Sequence, residues 1–215
     1  MEQALDWGVM KCVIEEVASD TLDPDARLML RFKDGDTAAF ECLFSKHTRA
    51  IVSFAYRFVH NRELAEELAQ EVFLRVYEAA AGYKVQAKFT TWLYRIATNV
   101  CLNEVRKPHF RASHQTLDPD PERGEEAVVL ESERNAEPDK ILEVQAVSDV
   151  LRHALGQIPD KQRIAFILNK YQELSYAEVA EVMKTSEKAV KSLIHRAKEA
   201  LAERLKPLLP ELLHP

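Results

Sequence analysis

The amino-acid sequence predicts an all-α protein in which two small helical domains are joined by a flexible acidic linker. Alanine, leucine, glutamate and arginine, which are good helix formers, dominate a chain of 215 residues that holds only five glycines. Apolar residues recur with a helical period on both sides of one polar stretch. The β-branched runs punctuated by glycine that are typical of sheets are missing from the sequence.

Composition divides the chain into four segments. The N-terminal extension, residues 1–25, has apolar residues at helical spacing that would dock on the protein's own core or on a partner: Met10, Val13, Ile14 and Val17. Helical periodicity then marks a first domain, residues 26–110. Residues 111–137 hold eight acidic residues, three basic ones and two Asp-Pro pairs, and such a segment buries too little surface to offset chain entropy. Helical periodicity resumes in a second domain, residues 138–215.

Charge and cysteine usage narrow the class of protein. The net charge of −6 means that any contact with nucleic acid needs a segregated basic face. The three cysteines lie far apart without metal-ligand spacing, as expected of free thiols in a reducing cytosol. We find no catalytic constellation, and expect neither an enzyme nor a metal, cofactor or small-molecule substrate. No apolar stretch approaches the roughly 20 residues of a membrane span, and the acidic start is unlike a signal peptide, so we expect a cytoplasmic protein without membrane insertion.

Breaks in the first domain are predicted at Asp34-Gly35-Asp36, at His60-Asn61 and at Gly82. Between the last two breaks, one helix carries a buried stripe on a 3.6-residue period, made of Leu64, Leu68, Val72 and Val76 with Ala65, Ala69 and Phe73 beside it. The opposite face of this helix is acidic and polar, with Glu66, Glu67, Gln70 and Glu71.

The second domain contains a predicted helix-turn-helix between Ser175 and Leu205. Ser175 and Glu178 have the spacing of a capping box, and Ser186 is a natural N-cap for the second helix. The inner face of that second helix is apolar, and its outer face is basic and polar, with Lys188, Lys191, Ser192, His195, Arg196 and Lys198. This layout fits a helix that enters the major groove of duplex DNA, and the competing interpretation is a helical hairpin with a solvated basic face.

Two separate stretches resemble the sigma-70 family of bacterial RNA polymerase sigma factors. AEELAQEVFLRVY (residues 65–77) followed by FTTWLYRIATN (residues 89–99) resembles conserved region 2, most closely that of the extracytoplasmic-function (ECF) group. IPDKQR (residues 158–163), LSYAEVA (residues 174–180) and the outer face of the last helix resemble region 4. The chain has no room for the additional domains of larger sigma factors, which also points to the ECF group.

The resemblance implies partners and a role for each matched surface. Glu66, Glu67, Gln70 and Glu71 would dock on the clamp helices of the polymerase β′ subunit, where carboxylates suit arginine-rich partners. Region 4 would contact the β flap and read the minus-35 promoter element through Lys188, Lys191, Ser192, His195, Arg196 and Lys198. Members of this group are usually held by an anti-sigma factor, and we expect one here.

The same resemblance assigns the minus-10 recognition loop and the start of the DNA-melting helix to the segment from Gly82 to Thr91. Tyr83 and Asn99 fall at positions that line the pocket for a flipped base, and Trp92 falls where family members wedge DNA open, with plain core packing as its alternative. In the loop, Lys84, Gln86 and Lys88 would set sequence preference and hold phosphates. The path of the strand would be lined by Arg95, Arg106 and Lys107.

Two other functions stay open at this stage. A stand-alone helix-turn-helix transcriptional regulator would bind duplex DNA tightly without polymerase, but it would leave the set Gln70, Trp92 and Asn99 without a reason. A sigma-like adaptor would dock on polymerase without reading DNA. For a sigma factor we expect poor binding to duplex DNA by the protein alone, because its net charge is negative.

Overall fold

The computed structural model describes residues 22–108, 150–151 and 154–206, and within these ranges all regular secondary structure is helical. The linker (residues 111–137) and the apolar strip of the N-terminal extension lie outside the described residues. The helices, in chain order, are α1 (Pro24–Lys33), α2 (Thr37–Val59), α3 (Arg62–Ala79), α4 (Phe89–Val105), α5 (Asp160–Lys170), α6 (Tyr176–Met183) and α7 (Glu187–Leu205), with a 3₁₀ turn at Ala80–Gly82.

Local capping explains where the helices of the first unit begin. Asp23 caps α1, which has proline in its first turn, and the side chains of Asp36 and Asn61 accept hydrogen bonds from the first turns of α2 and α3. Gly35 has φ +104°, a conformation that glycine adopts without steric cost. The three predicted breaks are therefore confirmed.

Helices α1 to α4 form a bundle around a core of large apolar side chains. The predicted stripe on α3 is buried from Ala65 to Val76, and only Leu64 is partly exposed. It belongs to one hydrophobic core with fully buried residues of the other helices, including Met29, Phe54 and Leu93. The amphipathic pattern of α3 thus positions its opposite, polar face toward solvent.

Helices α5 to α7 form the second unit, and α6 and α7 are the predicted helix-turn-helix. The capping box is present: the backbone N–H of Ser175 donates to Glu178 Oε2 at 2.8 Å, and the N–H of Glu178 donates to Ser175 Oγ at 3.2 Å. Ser186 caps α7 through Ala189 N–H at 3.2 Å. The inner face of α7 is buried at Val190, Ile194, Ala197 and Leu201.

The two units pack against each other through α4 and α6. Buried residues of both units belong to one hydrophobic cluster, which extends from Met29 and Leu93 to Leu168 and Val179. Polar contacts join them as well: the hydroxyl of Tyr94 donates to Gln172, and the Arg57 guanidinium stacks 4.1 Å from the ring centroid of Tyr171. The all-α, two-unit architecture agrees with the prediction, whereas the shared core was not predicted.

Candidate nucleic-acid interface

The loop between the 3₁₀ turn and α4 is held at both ends by side chains of the α1 segment. Lys33 Nζ donates to the Tyr83 carbonyl at 2.9 Å, and Asp23 Oδ2 accepts from the backbone N–H of Phe89 at 2.7 Å. The residue before α4, Lys88, provides no side-chain cap of its own. Asp23 therefore caps the start of α4 from a distant part of the chain.

A cavity of about 490 Å³ opens between this loop and the first turns of α4. Five of the predicted minus-10 residues line it: Tyr83, Lys84, Gln86, Trp92 and Arg95. Its dimensions are within the usual range for small-ligand pockets. The structure therefore brings together side chains that the sequence separates by up to 12 positions.

Tyr83 forms a buried wall of the cavity. Its ring meets that of Trp92 edge-on, with the ring centroids 4.9 Å apart. Its hydroxyl oxygen is buried and has no hydrogen-bond partner among the described residues. Burial, with a smaller contribution from the charge of Asp23, raises the pKa of Tyr83 to about 12, so the hydroxyl stays protonated at neutral pH.

Trp92 packs in the core and also borders the cavity, the two locations that its alternative roles require. The indole is partly buried and packs on Phe89, with ring centroids 5.8 Å apart, and on Tyr83. It also lines the cavity. Core packing on one side of the ring leaves another part facing the space where a base would stack.

Two predicted minus-10 residues lie outside the cavity lining. Asn99 is exposed, two turns further along α4 than Trp92. Lys88 is exposed and directs its ammonium group at Glu178 of α6, with Nζ and Oε1 2.9 Å apart. Arg106 and Lys107 are exposed at the far end of α4, where Lys107 pairs with Glu104 at 2.6 Å.

Three polar residues that line the cavity were not predicted from the sequence: Glu78, Thr91 and Glu181. Thr91 is buried and its hydroxyl has no partner among the residues described. Its place directly before Trp92, at the start of α4, was an available signal. Glu181 lies in the second unit, and no local pattern could have placed it beside the loop.

The outer face of α7 is open to solvent. All six predicted minus-35 residues are exposed: Lys188, Lys191, Ser192, His195, Arg196 and Lys198. Two of them form ion pairs along the helix, Lys191 with Glu187 at 3.1 Å and His195 with Glu199 at 3.3 Å. Exposed pairs of this kind are weak, so both side chains can exchange these acids for phosphate.

The polar face of α3 is likewise exposed and is partly paired within the helix. Glu66 pairs with Arg62 at 3.1 Å and Glu71 with Arg75 at 2.8 Å, while Glu67 and Gln70 are exposed. Beyond them on α3 lie two large apolar side chains with about half of their surface exposed, Leu74 (53%) and Tyr77 (52%). Neither residue belongs to the docking surface predicted from the sequence.

Comparison with known proteins matches two family models to the chain. The model for sigma-70 region 2 matches residues 43–110, and the model for sigma-70 region 4 matches residues 148–201. The chain is 31% identical to the RNA polymerase sigma-H factor of Pseudomonas aeruginosa over 89% of its own length and 98% of the relative. It is 32% identical to the ECF RNA polymerase sigma factor SigW of Bacillus subtilis, over 82% of this chain and 94% of that one.

The chain belongs to the sigma-70 family. Its relatives place it in the ECF group, so it is an RNA polymerase sigma factor whose partners are core RNA polymerase and promoter DNA. The region 2 match covers α3, α4 and most of α2, so the unit formed by α1 to α4 is called region 2. The region 4 match covers α5, α6 and most of α7, so the unit formed by α5 to α7 is called region 4.

Solved structures with the same fold agree with this assignment. CnrH, in a complex with the cytosolic domain of CnrY, superposes with a TM-score of 0.63 at 22% identity, over 86% of this chain and 99% of that one. RpoE from Bartonella quintana, in a complex with the anti-sigma factor NepR, superposes with a TM-score of 0.57 at 20% identity. The match covers 78% of this chain and 96% of that one. Within the described residues of the sigma factor, no helix is both long and apolar enough to span a membrane.

Proposed function

We propose that the cavity of region 2 holds an unstacked base of the minus-10 element while α4 keeps the promoter strands apart. The observation that carries this proposal is the clustering of Tyr83, Lys84, Gln86, Trp92 and Arg95 around one cavity. A flipped base is bound by stacking on aromatic rings and by hydrogen bonds to its edge, and the cavity offers both.

The chemistry of the cavity fits a base with its phosphate outside. The protonated Tyr83 hydroxyl and the Thr91 hydroxyl are buried groups that still need a partner, and a base edge supplies one. Lys84 and Arg95 carry positive charge at the lining, where they attract the phosphate backbone. Lys88 and Asn99 act beyond the cavity, on the strand as it leaves.

Region 4 is proposed to read the minus-35 element through the outer face of α7. Lys191 and Arg196 can donate to guanine or to phosphate, and Ser192 and His195 can contact bases or phosphate oxygens. Lys191 lacks the bidentate fork of arginine, so we expect it to contribute charge more than base selectivity. Lys188 and Lys198 extend this basic face along the helix.

Docking on core polymerase is proposed for the exposed face of α3, against the β′ clamp helices. Glu66, Glu67, Gln70 and Glu71 supply acceptors for arginine, and the exposed apolar groups of Leu74 and Tyr77 would add buried area at the edge of the contact. Region 4 would contact the β flap. The proposed domain limits are residues 26–110 for region 2 and 138–215 for region 4, with the acidic linker between them.

Control by an anti-sigma factor is also proposed for this sigma factor. The solved proteins with this fold include complexes with CnrY and with the anti-sigma factor NepR. We expect the cognate partner to be encoded beside the sigma factor.

Run-off transcription with purified core polymerase tests the function. On the DNA upstream of its own operon the sigma factor should yield a discrete transcript. The variant Trp92→Ala should lower the yield about tenfold or more, because base stacking in such sites is worth roughly 1–3 kcal/mol. On a template with a pre-opened bubble, the variant should recover much of the lost transcript yield.

The matched control is Lys161→Ala, which removes an exposed basic residue on α5. Its yield should equal that of the unmodified protein. If no promoter from the sigma factor's own operon gives a transcript, the proposed function is wrong. If Trp92→Ala transcribes normally on closed duplex, the role of the cavity is wrong.

Duplex binding through the exposed α7 face separates the sigma factor from the alternative weighed from the sequence, a stand-alone regulator that binds duplex DNA without polymerase. That function requires nanomolar binding of the purified protein to duplex DNA at physiological salt. The sigma factor function instead requires weak binding alone and strong binding in the holoenzyme.

A further inference from the structure

Helix α6 of region 4 lies against the start of α4 and reaches the cavity of region 2. Two of its carboxylates are involved: Glu178 accepts from Lys88 Nζ at 2.9 Å, and Glu181 lines the cavity. Both acids therefore face the surface that the proposed function reserves for a DNA strand. No part of the helix-turn-helix layout in itself requires this contact.

The Lys88–Glu178 pair has the chemistry of a lysine–phosphate contact. A carboxylate and a phosphate both present anionic oxygens to an ammonium group, at similar distances. Burial on its own would raise the pKa of Glu178, but hydrogen bonds from Lys88 and Ser175 outweigh it and bring that pKa to about 2. Glu178 is therefore fully charged at neutral pH.

We propose that α6 is an intramolecular lid on the minus-10 site, in which Glu178 takes the place of a strand phosphate on Lys88 and Glu181 closes the cavity. This inference rests on the proposed function of the cavity. The lid competes with the melted strand, so the free sigma factor discriminates against single-stranded DNA until the two units separate.

The lid is held by more than the ion pair. The Tyr94 hydroxyl donates to Gln172, the Arg57 guanidinium stacks on Tyr171, and apolar residues of both units share one buried cluster. Because each of these contacts joins region 2 to region 4, they must break together when the two units separate. Opening is then a movement of the whole unit.

The closed arrangement covers one DNA-reading surface and leaves the other free. The outer face of α7 remains exposed while α6 covers the start of α4. Region 4 can therefore present its basic face to DNA or polymerase before the minus-10 site is available. The lid therefore makes the contact of the α7 face precede the contact of the minus-10 site with DNA.

The variant Glu178→Gln tests the lid without removing the cap of α6. Glutamine keeps the oxygen that accepts from the Ser175 N–H in a capping box, but it carries no charge for Lys88. The control is Glu203→Gln, which makes the same charge change on the last turn of α7. Tyr94→Phe breaks a second anchor independently and keeps the ring in the core.

Two measurements on the full chain decide the outcome. Amide hydrogen exchange between Gly82 and Trp92 should accelerate about two- to fivefold in Glu178→Gln and in Tyr94→Phe, the range expected for loss of one weak polar contact. A fluorescein-labelled single-stranded dodecamer of mixed sequence should bind these variants about two- to fivefold more tightly. Glu203→Gln should match the unmodified protein in both measurements.

If amide exchange and DNA binding are both unchanged in Glu178→Gln and in Tyr94→Phe, the lid proposal is wrong. A further variant, Lys84→Ala in the Glu178→Gln background, separates this failure from that of the proposed function. If Lys84→Ala weakens DNA binding while the lid variants do nothing, the cavity binds DNA and the lid is wrong. If Lys84→Ala has no effect while exchange accelerates in the lid variants, α6 covers a surface that is not the DNA site.

Discussion

Tyr83 and Thr91 carry buried hydroxyls without hydrogen-bond partners among the described residues, both at the cavity. A buried polar group without a partner costs free energy in the free protein, on the order of 1–3 kcal/mol. The resemblance was enough to propose Tyr83 as a site residue. The burial of the Thr91 hydroxyl could not be predicted from the sequence, because it depends on the tertiary packing around the start of α4.

Replacing Tyr83 by phenylalanine should separate stability from function. The free energy of unfolding should stay level or rise by about 1 kcal/mol, because the variant removes a buried hydroxyl without a partner and keeps the ring contact with Trp92. Transcription from a closed promoter should fall at least threefold. Thermal unfolding followed by circular dichroism gives the first quantity and run-off transcription the second.

Tyr56→Phe is the control for this prediction, since Tyr56 also lies in the region 2 core but not at the cavity. It should leave transcription unchanged. Normal transcription by Tyr83→Phe would show that the Tyr83 hydroxyl does not contact DNA.

At the scale of elements, the helix-turn-helix was predictable because its signals are local. Capping residues at Ser175 and Ser186 mark where α6 and α7 begin, and the apolar period of α7 marks its buried face. The turn between them holds one feature that composition does not reveal. Lys184 ends α6 with φ +51°, in the left-handed region that favours glycine.

Glycine at position 184 should therefore stabilise region 4. We expect Lys184→Gly to raise the free energy of unfolding by about 1 kcal/mol, because glycine adopts this conformation without the steric penalty of a side chain. Chemical denaturation measures this free energy of unfolding.

Thr185→Gly is the matched control next to it in the turn, where φ is not positive, and it should lower the free energy of unfolding by about as much. Equal destabilisation by both variants would mean that Lys184 is not strained.

At the scale of the whole molecule, the sequence predicted two units but not their contact. The pattern of each helix reports that it has a buried face, and it does not report which helix covers that face. The Tyr94–Gln172 and Arg57–Tyr171 contacts join residues that lie on opposite sides of the linker. Such contacts follow from tertiary packing alone, which is why Glu178 was predicted as a helix cap and not as a partner of Lys88.

The shared buried cluster predicts that regions 2 and 4 unfold together. Calorimetry of the full chain should give a single transition, with the calorimetric enthalpy equal to the van't Hoff enthalpy. Tyr94→Phe should shift this transition to lower temperature in both regions at once. Two resolved transitions in the unmodified protein would contradict a common core.

The carboxylate of Asp23 has a mechanical consequence. One of its oxygens accepts from the N–H of Asp25 in α1, and the other accepts from the N–H of Phe89 at the start of α4. The backbone just before α1 is thus fastened to the very turn that carries Thr91 and Trp92. A load applied to the chain ahead of Leu22, for example by a protein bound to the N-terminal extension, is transmitted through Asp23 to the turn that borders the cavity.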